Sequence, residues 1–313
     1  MISACFINEC ANIQKDFNSF AIYMFICYLC VVNYRIFVIM KKILILIFIS
    51  FCTLFQSYSQ SYNEIVDRAM KYALTDSLVQ AEQLFREALK IDPNNARNAL
   101  LFSNLGTVLK RMGRTDEAIE AYTMALNITP YSTAMLLNRG TLYLDKGLDS
   151  KAYVDFCNVI DLIPENIEAR LYRAYIYMQR REYKEARIDY NVIVGKEPSH
   201  KAARIGLAML DQLEGNLTGA RDKLNLLIGE FTDDASLLIM RANLDLERGY
   251  PEAAVLDLEE ALRLNPKDAE TTVQLGDVYL SLKDMDKALK AYEKAISLGI
   301  PRSALLEQIK KCK

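Results

Sequence analysis

Only one residue of the chain is a histidine, the side chain that most often acts as an acid or base near neutral pH. It is His200, in the sequence Pro198-Ser199-His200-Lys201, and no plausible Ser or Cys nucleophile is placed to use it. We therefore interpret His200 as a solvated residue between helices and not as a general base.

Two other patterns contain the residue types of a site but not the full arrangement. Gly215-Asn216-Leu217-Thr218-Gly219 spaces two glycines but lacks the Lys-Ser or Lys-Thr pair that holds phosphate and metal in phosphate-binding loops. The paired carboxylates Asp233-Asp234 and Glu259-Glu260 are better explained as solvated helix ends and faces. The sequence thus predicts a protein that is not an enzyme and that uses no cofactor and no metal, since catalysis would require a hidden site.

The composition limits the class of protein and its partners. With 51% hydrophobic and 25% charged residues, the chain has the balance of a folded globular protein. Its 38 basic and 40 acidic residues provide no basic surface for phosphates, so we expect no nucleic-acid partner. Five of the seven cysteines lie in the first 52 residues, leaving Cys157 and Cys312, which are too few for a disulfide framework. We expect Cys157, beside Phe156 and Val159, to be a small buried side chain.

Residues 40–59 have the three parts of a secretory signal peptide. A charged start, Met40-Lys41-Lys42, precedes the apolar run Ile43–Phe55, and Ser57 and Ser59 supply the small side chains that a signal peptidase reads. We expect cleavage near Ser59 and a periplasmic or secreted protein.

The 39 residues before Met40 leave two interpretations open. Met40 could be the true start, with residues 1–39 as translated upstream sequence. Alternatively, translation begins at Met1 and residues 20–55 anchor the protein in a membrane, although their first apolar stretch is short for a spanning helix.

A period of 34 residues runs through the rest of the chain. Pro130, Pro164 and Pro198 are spaced by this interval, and two further steps reach Pro266. The period defines repeats at 62–95, 99–132, 133–166, 167–200, 201–234, 235–268 and 269–302 within residues 60–302. Each repeat contains two amphipathic helical stretches, with a Gly or Ala at its eighth and its twentieth position. These small residues predict close crossings between the two helices of a pair.

The turn within each pair is also marked in the sequence. Gly113, Gly147, Gly215 and Gly249 occupy the fifteenth position, where a helix that ends favours a left-handed residue. The other three repeats have Asp76, Arg181 and Lys283 at this position.

This pattern resembles the tetratricopeptide repeat (TPR) family. Repeat 99–132 shows the fullest match, with Gly106, Ala118, Tyr122, Ala125 and Pro130 at the signature offsets. The resemblance implies an all-α, right-handed superhelical solenoid of about seven helix–turn–helix repeats.

Two details of this resemblance carry structural expectations. Asp211 and Asp245 stand where the family usually has an aromatic residue, so looser packing is expected there. Residues 303–313 are expected to form a capping helix, with Leu306 and Ile309 covering the last repeat.

The resemblance also implies where partners bind, because the first helix of each repeat lines the concave face in this family. The groove residues expected from the family's register are Asn104, Lys110, Asn138, Leu171, Tyr172, Tyr175, Met178, Met209, Met240 and Asn243. Leu171 has an equally plausible role in packing helix against helix. The carboxylate clamp by which some family members hold chaperone tails is not expected, since only Asn138 matches it and Glu168 would repel a carboxylate.

These observations predict an exported bacterial TPR protein. It would act as a non-enzymatic scaffold of the cell envelope and bind an unidentified protein or peptide in its groove. The alternative is a membrane-anchored assembly factor of an envelope complex, tethered through an uncleaved N-terminus.

Overall fold

The computed structural model of the protein describes residues 62–312, and every regular element in this range is a helix. The helices are α1 (62–74), α2 (Leu78–Ile91), α3 (Asn98–Arg111), α4 (Thr115–Ile128), α5 (Thr133–Asp145), α6 (Asp149–Leu162), α7 (Ile167–Gln179), α8 (Tyr183–Lys196), α9 (Lys201–Leu213), α10 (Leu217–Glu230), α11 (Ala235–Glu247), α12 (Pro251–Leu264), α13 (Ala269–Ser281), α14 (Met285–Ser297), a 3-10 helix (Arg302–Leu305) and α15 (Leu306–Lys311). The expected leader, signal peptide and membrane anchor lie outside the described residues. No helix within 62–312 is long and apolar enough to cross a membrane.

The chain divides into two compact units. The first ends at Gly113 and contains α1 to α3, and the second begins at Arg114 and contains α4 to α15. In the first unit, α2 packs against α3.

Helices in the second unit pack in sequential pairs. The first helices α5, α7, α9, α11 and α13 each pack against the second helix that follows, and each second helix packs against the next first helix. The first helices begin at Thr133, Ile167, Lys201, Ala235 and Ala269, at the spacing of the sequence period. The all-α fold of stacked helix pairs predicted from the sequence is confirmed.

Small residues allow the helices to cross closely, as predicted. A Cβ atom added to Gly140 on α5 would lie 2.7 Å from the ring of Phe156 on α6, and one added to Gly276 would lie 2.7 Å from Tyr292. Both aromatic side chains are fully buried. The rings occupy the space that a side chain at the glycine would need, so each pair is fixed by matched shapes.

The fifteenth position of the repeats is left-handed even where it is not glycine. Gly147 has a φ of 68°, and Arg181 and Lys283 have φ values of 62° and 61°. Asp76 is left-handed as well, with a φ of 60°, so three ordinary residues adopt a conformation that glycine adopts without steric cost.

The prediction that Leu306 covers the last repeat is wrong. Leu305 and Ile309 are buried with Tyr279 and Tyr292, whereas Leu306 is 45% exposed. The 3-10 helix Arg302–Leu305 is wound more tightly than an α-helix, and this turn places Leu305 in the core where its neighbour was expected.

Buried ion pairs within single repeats are a feature of the core that the sequence pattern did not predict. The seventh and twenty-third positions pair in three repeats, as Arg139–Asp155, Arg173–Asp189 and Arg241–Asp257. Each is a forked contact; the two N–O distances of Arg139 and Asp155 are 2.9 and 2.7 Å. The three carboxylates are buried, so these contacts satisfy charges that would otherwise be costly inside the core.

Consecutive repeats are linked in two chemically different ways at the same offsets. Tyr153 and Tyr177 meet with their hydroxyl oxygens 3.2 Å apart. At the equivalent positions further along, Arg187 donates to Asp211 at 2.8 Å. The same link recurs in the next repeat.

The Arg–Asp link of the next repeat joins Arg221 to Asp245, also at 2.8 Å. Asp211 and Asp245, where looser packing was expected, are buried and ion-paired, because an Arg in the preceding repeat replaces the aromatic partner. Cys157, expected to be buried, is half-buried, with Arg173 Nη1 at 3.6 Å from its sulfur.

Candidate functional site

The residues considered for chemistry have structural roles. His200 is the N-cap of α9, where its Nδ1 accepts a hydrogen bond from the Ala203 N–H at 3.2 Å, so it is a capping residue and not merely a solvated one. Asn216 caps α10 by accepting from the Gly219 N–H, which accounts for the spacing that resembles a phosphate loop. Gly215 forms the left-handed turn before it.

The paired carboxylates are likewise occupied by local contacts. Asp234 caps α11, and Glu260 forms an ion pair with Arg263 at 2.7 Å. Among residues 62–312, no group of three or more His, Cys, Asp or Glu residues is arranged to hold a metal ion.

A continuous face of the first helices in the second unit is the candidate site. We call it the first-helix face and define it by the second, fifth, ninth, twelfth and thirteenth positions of α5, α7, α9, α11 and α13. Helices α5 and α7 contact each other directly. Gln212 on α9 donates to Glu247 on α11 at 2.6 Å, and Gln274 on α13 donates to Asn243 on α11. These contacts place α5 beside α7, α9 beside α11, and α11 beside α13.

Three large side chains of this face are exposed to solvent. Tyr175 on α7 is 50% exposed, and Met209 on α9 is 42% exposed, at the same ninth position of consecutive repeats. Leu213, at the thirteenth position of α9, is 52% exposed and was not among the predicted groove residues. Asn243 on α11 is also exposed.

Several predicted groove residues contribute mainly to packing. Leu171 and Met178 are partly buried against the core of α7, α8 and α9, and Met240 is partly buried against that of α9, α10 and α11. Tyr172 stacks on Phe156, with ring centroids 5.2 Å apart and planes 17° from parallel.

The remaining candidates make contacts close in the chain or in the first unit. The amide of Asn138 donates to the Ala134 carbonyl of its own helix at 3.0 Å. Asn104 donates to the Met70 sulfur at 3.0 Å within the first unit, where Lys110 is exposed.

Two carboxylates of the first-helix face act on the pKa of Tyr172, which lies at the sixth position of α7 and outside the face. Burial raises the pKa of the Tyr172 hydroxyl, and the negative charges of Glu168 and Asp145 raise it further. On α13, Asp277 accepts a hydrogen bond from the Tyr292 hydroxyl at 2.8 Å.

Comparison with known proteins identifies the repeats. Two models of the tetratricopeptide repeat match the chain, one over residues 65–130 and the other over residues 239–302. No curated protein matches it.

Solved structures extend the similarity to most of the chain. A tetratricopeptide repeat protein from Parabacteroides merdae is 30% identical, with a TM-score of 0.65, and the alignment covers 81% of this chain and 99% of that one. PilF of Pseudomonas aeruginosa is 19% identical, with a TM-score of 0.53, and the alignment covers 67% of this chain and 94% of that one. At this identity the second likeness shows the fold alone.

The Parabacteroides protein is related over nearly its whole length. The matched repeat models and the helix pairs agree with that relationship. Proteins of this fold are generally scaffolds for protein–protein interaction and are typically not catalytic. The chain belongs to the tetratricopeptide repeat family.

Proposed function

We propose that this protein is a non-enzymatic scaffold that binds a protein or peptide partner on the first-helix face of its second unit. The observation that carries the proposal is the exposure of Tyr175 and Met209 at equivalent positions of α7 and α9. A scaffold needs side chains that remain available to a partner after the repeats have packed, and these two have that exposure.

The chemistry of the two side chains suits a binding surface. Tyr offers a large rigid contact area with a polar hydroxyl, and Met adapts its shape to irregular partners. Leu213 extends the same apolar surface along α9. An extended peptide or one face of a helix could bury this row against the partly buried Leu171 and Ile205 beneath it.

The double variant Tyr175→Ala with Met209→Ala tests the proposal. We expect partner capture to weaken about tenfold or more, because exposed aromatic and Met anchors contribute much of the energy of such interfaces. Capture would be measured by cross-linking and pulldown of envelope proteins from the native cells, followed by titration of the protein recovered.

A matched control separates binding from folding. Ile188→Ala with Leu226→Ala removes two apolar side chains of similar exposure, 61% and 64%, from the second helices α8 and α10. We expect this variant to capture the partner as well as the wild type, and both variants to keep their helical circular dichroism. If Tyr175→Ala with Met209→Ala captured the partner as well as the wild type does, the first-helix face would be excluded as the binding surface.

The proposal includes export from the cytoplasm, based on the signal-peptide pattern of residues 40–59. Mass spectrometry of the N-terminus of the protein isolated from the cell envelope tests it, and we expect a chain that begins near residue 60. A peptide from upstream of Met40 would contradict the start site, whereas an uncleaved chain in the membrane fraction would support the membrane-anchored assembly factor.

A further inference from the structure

We infer that the first-helix face of the second unit selects a basic, apolar segment of a partner protein, in which large apolar side chains are flanked by Lys or Arg. This inference rests on the proposed function and specifies the chemistry of the ligand. It follows from the charges on the face, which have one sign only.

Every charged residue at the defining positions of the face is acidic. The positions hold Asp145, Glu168, Glu247, Glu270 and Asp277, and no Lys or Arg. All five are exposed. Within residues 62–312 none of them forms an ion pair with a basic side chain, although all five buried carboxylates of the same unit do.

Several basic residues of the second unit are paired with carboxylates that do not belong to the face. Arg139 and Arg173 are turned into the core by Asp155 and Asp189, and Arg204 is paired with Glu230. The negative charges of the face are therefore not neutralised by side chains of their own repeats. A partner that supplied Lys or Arg would complement them, whereas an acidic one would be repelled.

The acidic residues Glu168 and Asp145 lie on the helix that carries Tyr175 and on the helix in contact with it. Glu168 lies two helical turns before Tyr175 on α7, and Asp145 lies on α5, which contacts α7 directly. A segment whose apolar side chains contact Tyr175 and Met209 thus passes beside carboxylates on α5 and α7. Apolar burial would provide affinity, and the charges would provide selectivity.

A random 12-residue peptide library displayed on phage, selected on the full chain carrying a C-terminal tag, tests this inference. We expect the selected peptides to be enriched in Lys and Arg next to Leu, Ile, Phe or Met, and their capture to be lost with Tyr175→Ala and Met209→Ala. Neutral or acidic peptides whose capture depends on Tyr175 and Met209 would overturn the inference while leaving the proposed function intact. If no selected peptide depended on Tyr175 and Met209, the proposed function itself would fail.

Synthetic copies of the selected peptides then measure the charge preference by fluorescence anisotropy. Asp145→Asn with Glu168→Gln should weaken binding about three- to tenfold at low salt, and the loss should shrink as salt screens the charges. Asp161→Asn with Glu185→Gln removes two exposed carboxylates from second helices and should leave binding unchanged. Equal losses in both variants would mean that the peptides respond to net charge and not to the first-helix face.

Discussion

At the scale of single residues, the buried carboxylates decide how the core of the second unit tolerates charge. Asp189 receives hydrogen bonds from both Arg170 and Arg173, and its side chain is 1% exposed. In the described chain no buried side-chain nitrogen or oxygen lacks a hydrogen-bond partner. The charges are thus compensated in the folded state. Asp155 has a single basic partner, Arg139, so removing that partner would leave a charge buried alone.

Asp211 gives this compensation a pH dependence. Burial works to raise the pKa of its carboxyl, but hydrogen bonds and attraction from Lys223 and Arg187 outweigh it and hold the pKa below the ordinary value of 3.8. A carboxyl whose pKa is lowered in the folded state stabilises the protein at pH values above its pKa in the unfolded state. This contribution is lost as the pH falls through its pKa in the folded state.

We therefore expect Asp211→Asn to lower the free energy of unfolding by about 1–3 kcal/mol at pH 7. Between pH 5 and about pH 3, the variant should lose less stability than the wild type, because it has no carboxylate to protonate at this site. Urea unfolding followed by circular dichroism at several pH values measures both effects. Asp161→Asn, at an exposed site, serves as the control; parallel pH profiles for Asp211→Asn and the wild type would contradict the expectation.

At the scale of helices, the glycines separate packing from turn formation. Gly140 and Gly195 both lie within helices, but only Gly140 faces an aromatic ring. A Cβ atom at Gly195 would have no atom within 4 Å. The same substitution should therefore have opposite effects at the two positions.

Gly140→Ala should lower the free energy of unfolding by roughly 1–3 kcal/mol, since the ring of Phe156 must shift to admit the methyl group. Gly195→Ala should raise it by about 0.5–1 kcal/mol, because Ala loses less conformational freedom than Gly in a helix. Chemical denaturation of the two variants and the wild type provides the comparison. If Gly140→Ala were as stable as Gly195→Ala, the close crossing of α5 and α6 would not limit stability.

At the scale of the whole molecule, the second unit is a stack in which each repeat is stabilised by its neighbours, so its C-terminal end needs a cover. Leu305 and Ile309 provide it by packing on the cluster that contains Tyr279 and Tyr292. Leu306, one residue further on than Leu305, is largely in solvent.

Leu305→Ala should lower stability by about 2–3 kcal/mol, the lower part of the range for buried leucines, because the end of the stack can relax. Amide hydrogen exchange should become faster in α14, which lies directly beneath the cover. Leu306→Ala should change stability by no more than about 0.5 kcal/mol. If Leu306→Ala lost more stability than Leu305→Ala, Leu306 would be the residue that covers the last repeat.

The sequence alone determined the elements and their order. Helix starts, left-handed turns and stop signals depend on residues within one or two helical turns of each other, and the 34-residue period repeats them often enough to be recognised. The tertiary structure was needed to show which side chains stay exposed. The stacking of Tyr172 on Phe156 depends on how neighbouring helices are rotated against each other, and a pattern of local signals does not fix that rotation.

The links between repeats show the same division. Arg221 and Asp245 are 24 residues apart, and the sequence presented Asp245 only as a missing aromatic. Only the packed helices bring the Arg221 guanidinium to 2.8 Å from the Asp245 carboxylate, at a position where that carboxylate is buried. Burial makes such a pair obligatory, since an unpaired carboxylate there would lose its hydration without compensation.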